Sequence, residues 1–175
     1  MSKEQKIRFE LEVGGAKAFL APLTFAVAEA ALGLTMTAKP KFLTAGEIII
    51  NSLWIRGSKT LQSGGVNFNE ACMKAYGCID TIQYKYKDGN ITISLEGKEY
   101  NCKIGEIKRE ALEEAIGLIR PYVGNPRPLT AGKTILLESW VSGDEEIKTK
   151  DELLIPACLA AYYLINFKGA NLKKV

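Results

Sequence analysis

The chain has 175 residues, of which 47% are hydrophobic and 25% are charged, a composition typical of a globular protein. Its net charge of +3 is weak and its lysines and glutamates are interspersed, which argues against a nucleic-acid partner. Histidine is absent, which removes the commonest general base and a frequent metal ligand, and no apolar run is long enough to span a bilayer.

The beginning of the chain predicts a strand hairpin followed by a helix. Apolar and charged residues alternate over residues 7–13, the period-two pattern of a half-buried strand. A Gly-Gly pair then turns the chain into a second extended segment at residues 17–21. Thr24 precedes a run rich in alanine and leucine, so we expect it to cap a helix at residues 26–36.

Two more helices are expected before residue 81. Thr44 is a suitable N-cap, and Glu47, three residues further on, would complete a capping box. This helix is expected to end near Trp54, before Gly57. A third helix is expected at residues 67–80, after a loop that contains two adjacent glycines.

The rest of the chain predicts the same plan with one additional strand. The expected strands are residues 81–87, 91–95 and 100–104, and an Asp-Gly pair favours a hairpin between the first two. The expected helices are residues 108–120, a second from Thr130 to about Trp140, and a third from Thr149 towards Lys168 with Glu152 in a capping box.

The two parts of the sequence resemble each other. Leu-Thr-Ala-Gly occurs around Thr44 and again around Thr130, and Trp54 and Trp140 follow at the same offset of 86 residues. Glu-Ala-Ala-Leu-Gly-Leu near the first helix matches Glu-Glu-Ala-Ile-Gly-Leu near its counterpart at an offset of 84. An internal period of this length indicates a repeated structural unit. We therefore predict an α+β tandem duplication of a small module, an antiparallel β-hairpin followed by about three helices. Residues 1–80 and 81–175 would be its copies, packed together as one compact unit.

The repeat also predicts the core. The two tryptophans are expected to cover the core of their own modules, with ligand stacking as the alternative. The expected core residues of the first module are Leu32, Ile49, Leu53, Trp54, Ala71 and Cys72. Those of the second are Leu118, Ile135, Leu136, Trp140, Ala157, Cys158 and Tyr162.

No catalytic, cofactor or metal site stands out. The four cysteines, Cys72, Cys78, Cys102 and Cys158, have neither redox nor zinc spacing and are expected to be small buried hydrophobes in a reducing cytosol. Adjacent carboxylates such as Glu113-Glu114 are more typical of a solvated helix face than of a catalytic pair. The expectation is that the protein is not an enzyme and binds no cofactor.

The end of the chain is the predicted partner-binding region. It is short, basic and amphipathic, and it has no equivalent in the first copy. The residues expected to contact a partner are Lys168, Leu172, Lys173 and Val175. The partner is expected to be a protein, and a homo-oligomer is left open.

One unit resembles a family of viral proteins. The hairpin, the apolar-Thr helix entry, the Trp-x-x-Gly helix end and the acidic stretch at residues 144–148 are similar to small proteins encoded among bacteriophage and prophage tail genes. Some of these are similar to tail assembly chaperones. The resemblance implies a non-enzymatic assembly factor that binds the tape-measure protein in the host cytoplasm. The alternative is a structural virion component such as a tail, connector or capsid-accessory protein.

Overall fold

The computed structural model describes residues 6–165, which contain both helices and antiparallel sheets. The strands are β1 (Phe9–Val13), β2 (Ala16–Leu20), β3 (Trp54–Gly57), β4 (Lys85–Lys87), β5 (Asn90–Leu95), β6 (Lys98–Ile104) and β7 (Trp140–Gly143). The helices are α1 (Phe25–Thr35), α2 (Phe42–Leu53), α3 (Val66–Asp80), α4 (Arg109–Ile119), α5 (Pro128–Glu138), α6 (Glu146–Thr149) and α7 (Asp151–Ile165). The predicted α+β class is confirmed.

The strands form two separate antiparallel sheets. The first sheet has the order β1-β2-β3 and the second has the order β4-β5-β6-β7. β3 pairs with β2 in the first sheet, and β7 pairs with β6 in the second. Both pairings contain a register shift. This irregularity falls next to Leu20 in the first sheet and next to Ile104 in the second, and these residues pair with Trp54 and Trp140.

The first half (residues 6–80) and the second half (residues 81–165) have their elements in the same order. Each runs through a hairpin, two helices, a strand, a short helical segment and a long helix, and the second half has β4 in addition. Thr44 and Thr130 are both the third residue of their helices. Trp54 and Trp140 are both the first residue of their strands. The residue pairs that define the sequence repeat therefore lie in like secondary structure.

The repeated Leu-Thr-Ala-Gly marks a close helix crossing in each half. α2 packs on α3, and α5 packs on α7. A Cβ atom added at Gly46 would lie 1.8 Å from the carbonyl oxygen of Cys72, and one added at Gly132 would lie 1.9 Å from that of Cys158. Only glycine allows the two backbones to approach so closely.

The sequence missed a strand in each half. β3 and β7 occupy the segments that were expected to end helices, because four residues are too few to show a period. The helix starts at Thr44 and Thr130 were also wrong. α2 begins at Phe42 without a side-chain cap, and α5 begins at Pro128, a residue favoured in the first turn of a helix.

Other predicted boundaries differ less. Thr24 caps α1 as predicted, and its hydroxyl accepts a hydrogen bond from the amide of Val27. The predicted start of the last helix at Thr149 was wrong, since that residue ends α6 and a new helix begins at Asp151. The predicted extension of this helix towards Lys168 lies outside the described residues.

Buried residues from both halves form one continuous apolar core. Most of the predicted core residues are buried: Leu32, Ile49, Leu53, Ala71, Cys72, Ile135, Leu136, Ala157, Cys158 and Tyr162. Trp54, Trp140 and Leu118 are only half-buried and pack against the edge of the core. Both tryptophans are the first residues of edge strands, and the ammonium group of Lys148 lies 4.1 Å from the centre of the Trp140 ring.

Candidate protein-binding surfaces

A carboxylate from the first half caps a helix of the second half. Glu29, on α1, accepts hydrogen bonds from the amides of Leu129 and Thr130, at 2.8 and 3.0 Å, and from the hydroxyl of Thr130 at 2.5 Å. These amides lie at the start of α5, where backbone donors have no partner inside the helix and a negative charge is favourable. Only 14% of the Glu29 side chain is exposed. We call this contact between α1 and α5 the junction.

Further contacts hold α1 against the second half. A Cβ atom added at Gly33 would lie 2.5 Å from the carbonyl oxygen of Pro126, so the glycine permits close approach. The carboxylate of Asp151 accepts a 2.9 Å hydrogen bond from the amide of Phe25, and the ammonium group of Lys133 lies 5.4 Å from the centre of the Phe25 ring. The junction thus combines charge-assisted hydrogen bonds with tight backbone packing.

The residues equivalent to those of the junction are exposed at the opposite ends of the two halves. Glu113, on α4, is the counterpart of Glu29, and 62% of its side chain is exposed. Gly117 is the counterpart of Gly33, and a Cβ atom added there would meet nothing within 4 Å. Leu43, on α2, is the counterpart of the buried Leu129 and is 45% exposed. Each half therefore carries the residues of the junction, but within residues 6–165 only Glu29, Gly33 and the start of α5 form the contact.

A cleft of about 330 Å³ lies between the two halves. Phe9 and Leu23 line it from the first half, and Ile93 and Ile155 line it from the second. The carboxylate of Glu152 also faces the cleft, and its Oε1 atom is buried without a hydrogen-bond partner in the described part of the chain. Arg8 Nε lies just beyond hydrogen-bond distance from this atom, so a bound group could still donate a hydrogen bond to it.

Four charged side chains connect the halves beside this cleft. Lys6 and Arg8, from the start of the chain, face Glu96 and Glu152. The Lys6 ammonium lies 2.5 Å from Glu96, and its hydrogen bond lowers the pKa of that carboxyl and raises its own. Arg8 Nε lies 3.6 Å from Glu152 Oε1. An arginine stays protonated, so this pair is an electrostatic contact and not a proton-transfer couple.

The cleft continues along the last part of β5, on the side where β4 pairs only with the beginning of this strand. A second hollow of about 380 Å³ shares Ile82, Gln83 and Ser94 with the first. β4 pairs with β5 only as far as Thr92, so within residues 6–165 the last part of β5 has no strand on this side. An edge with free backbone groups can pair with an extended segment of another chain.

The cysteines are all buried, as the sequence predicted. Burial raises the pKa of the Cys72, Cys78 and Cys102 thiols to about 11, and it also raises that of Cys158. Such thiols react slowly because the nucleophile is the thiolate. Within residues 6–165, no three His, Cys, Asp or Glu side chains are grouped closely enough to hold a metal ion, and no helix is long and apolar enough to cross a membrane.

The sequence did not indicate the residues that form these surfaces. The partner-binding residues predicted from sequence, Lys168, Leu172, Lys173 and Val175, lie outside the described residues. In the sequence, Glu29 and Gly33 stood out only because they match Glu113 and Gly117 in the repeat. Glu152 was interpreted as half of a capping box. The one usable signal was the glutamate and glycine four residues apart in both copies.

Comparison of the chain with protein-family models, with curated proteins and with solved structures finds no match.

Proposed function

We propose that this protein is a non-enzymatic assembly factor that acts by binding another protein. The observation that carries the proposal is the cleft between the halves, which is lined by both apolar and polar side chains and is continuous with the part of β5 that β4 does not pair. An extended protein segment fits this arrangement. Its backbone can pair with β5 beside Ser94, and alternate side chains can enter the cleft.

The partner class follows from the sequence resemblance. Small phage tail-gene proteins similar to tail assembly chaperones bind the tape-measure protein, so the most concrete form of the proposal is a chaperone of that kind, acting in the host cytoplasm. The cleft supports binding of a long client, because a client segment can enter along the strand edge without having to end there.

Co-expression with a tape-measure protein from the same gene cluster tests the proposal. The wild-type chain should raise the soluble fraction of that protein. Ser94→Trp should abolish the effect, because the indole would fill the groove at the β5 edge. Ser142→Trp is the matched control, since Ser142 is an equally exposed serine in β7, an edge strand of the same sheet. No gain in solubility with the wild-type chain would count against the chaperone function.

A structural virion component is the second candidate, and the exposed counterparts of the junction favour it. A subunit that presents both sides of one contact is suited to a repeating assembly. Mass spectrometry of purified particles separates the two candidates. A structural component would be present at fixed stoichiometry, and a chaperone would be absent.

A further inference from the structure

The helices of the two halves lie side by side in an order that repeats. α1 packs on α2 within the first half and on α5 across the junction, while α4 packs on α5. The resulting order is α2-α1-α5-α4. Since α5 corresponds to α2 and α4 corresponds to α1, the two halves follow each other in the same orientation along this row. The junction therefore joins two different surfaces, the outer face of one helix and the start of another. Such a heterologous contact leaves one unused copy of each surface at the two ends of the row.

We propose that the chain associates head to tail with a second copy of itself, α4 of one copy docking on the start of α2 in the next copy. The contact would reproduce the junction, with α4 in the place of α1 and α2 in the place of α5. This inference concerns the protein alone and does not depend on a client.

The face of α4 retains the two features that make α1 a partner for α5. Glu113 occupies the place of the capping carboxylate, and Gly117 occupies the place of the glycine that permits close approach. Within residues 6–165, Gly117 faces open space, and Glu113 forms an ion pair with the exposed Arg109 at 2.8 Å. In the proposed contact, a backbone supplied by another chain would give Gly117 the close approach that Gly33 makes at the junction.

The start of α2 retains the receiving features. Within residues 6–165, no side chain accepts a hydrogen bond from the amides of Leu43 and Thr44, so these amides are available to a carboxylate. Thr44 carries the hydroxyl that Thr130 uses at the junction. Phe42 and Leu43 are 40% and 45% exposed, whereas the equivalent residues of α5 are buried in the junction. Covering these apolar side chains would favour association.

Charge complementarity supports the same pairing. At the junction, Lys133 lies over the ring of Phe25. At the proposed contact, the repeat offsets replace Lys133 with Glu47 and Phe25 with Arg109. Both members have changed, and the replacements carry opposite charges. One junction bond is lost, because the position of Asp151 corresponds to Gly65, so the contact between chains should be weaker than the contact within the chain.

Sedimentation velocity over a concentration series tests the proposal on the full chain. The wild-type chain should form dimers and larger species as concentration rises. Glu113→Lys should raise the dissociation constant about tenfold or more. The variant replaces the capping carboxylate with an ammonium group, which the partial positive charge at the start of α2 repels. Glu110→Lys makes the same charge change on α4 at an exposed position whose equivalent, Ala26, is also exposed and lies outside the hollow at the junction, and it should leave association unchanged. A wild-type chain that stays monomeric, or equal effects of the two variants, would overturn the proposal.

Mixing two blocked chains distinguishes a head-to-tail contact from a symmetric one. Glu113→Lys blocks the α4 side and Leu43→Asp blocks the α2 side, and both sites are exposed, so folding should be retained. Each variant alone should be monomeric, while an equimolar mixture should form heterodimers that do not grow further. If the mixture stays monomeric, or if either variant alone still forms long assemblies, the head-to-tail contact is wrong.

Discussion

Replacing Glu29 with alanine should destabilise the fold, because it removes the carboxylate that caps α5. The substitution removes an acceptor from two amides and one hydroxyl at the start of α5. Loss of a helix cap costs about 0.5–2 kcal/mol, and a buried donor left unpaired costs about 1–3 kcal/mol. These contributions overlap, because they concern the same amides. We therefore expect the free energy of unfolding to fall by about 1–3 kcal/mol.

The repeat provides a matched control for this measurement. Glu113→Ala changes the equivalent residue of α4, which is exposed and forms an ion pair with the exposed Arg109. Its effect on the monomer should be within about 0.5 kcal/mol, the usual range for surface substitutions. Glu29→Gln should fall between the two, since the amide oxygen can still accept a hydrogen bond but carries no charge.

Urea denaturation followed by far-ultraviolet circular dichroism measures these differences, at a protein concentration low enough to keep the chain monomeric. A loss below about 0.5 kcal/mol for Glu29→Ala would refute the capping role of Glu29. If Glu29→Ala and Glu113→Ala lower the free energy of unfolding equally, the conclusion that Glu29 is buried in the junction while Glu113 is exposed is refuted.

Three further predictions concern packing and the thiols. Gly46→Ala places a methyl group 1.8 Å from the Cys72 carbonyl oxygen and should lower the free energy of unfolding by at least about 3 kcal/mol. Gly77→Ala changes a glycine in open space on α3 and should raise the free energy of unfolding by about 0.5–1 kcal/mol. Thermal unfolding of the two variants measures the difference. Trp140→Ala should cost about 2–3 kcal/mol in urea denaturation, less than a fully buried tryptophan, and a loss below about 1 kcal/mol would identify a contact residue instead. The pKa of Cys78, raised to about 11, lies above its unfolded value, so its contribution to stability is complete below pH 9 and is lost as pH rises towards 11. Between pH 8 and pH 10 this contribution to the free energy of unfolding should fall by about 1 kcal/mol, and the fall should be absent in Cys78→Ala. Alkylation of the Cys78 thiol at pH 8 should be about 100-fold slower in the folded chain than in the unfolded chain.

Local patterns in the sequence were sufficient for most elements of the fold. The hairpin at residues 7–21 followed from alternation, and α1 followed from its cap at Thr24, since both signals depend on neighbouring residues. The strands β3 and β7 could not be predicted in this way. Each has four residues, and each exists because β2 or β6 offers a free edge, which is a property of the folded sheet.

The sequence by itself aligned Glu29 with Glu113, because the residues around them match at an offset of 84 and a match of this kind does not depend on the fold. Only the tertiary structure decided that they are used differently. Glu29 reaches the start of α5, about a hundred residues further along the chain, while Glu113 remains in solvent. Identical side chains acquire different environments when two similar units pack through unlike surfaces, since one copy of each surface is then left at the ends. No pattern of neighbouring residues records which copy is covered.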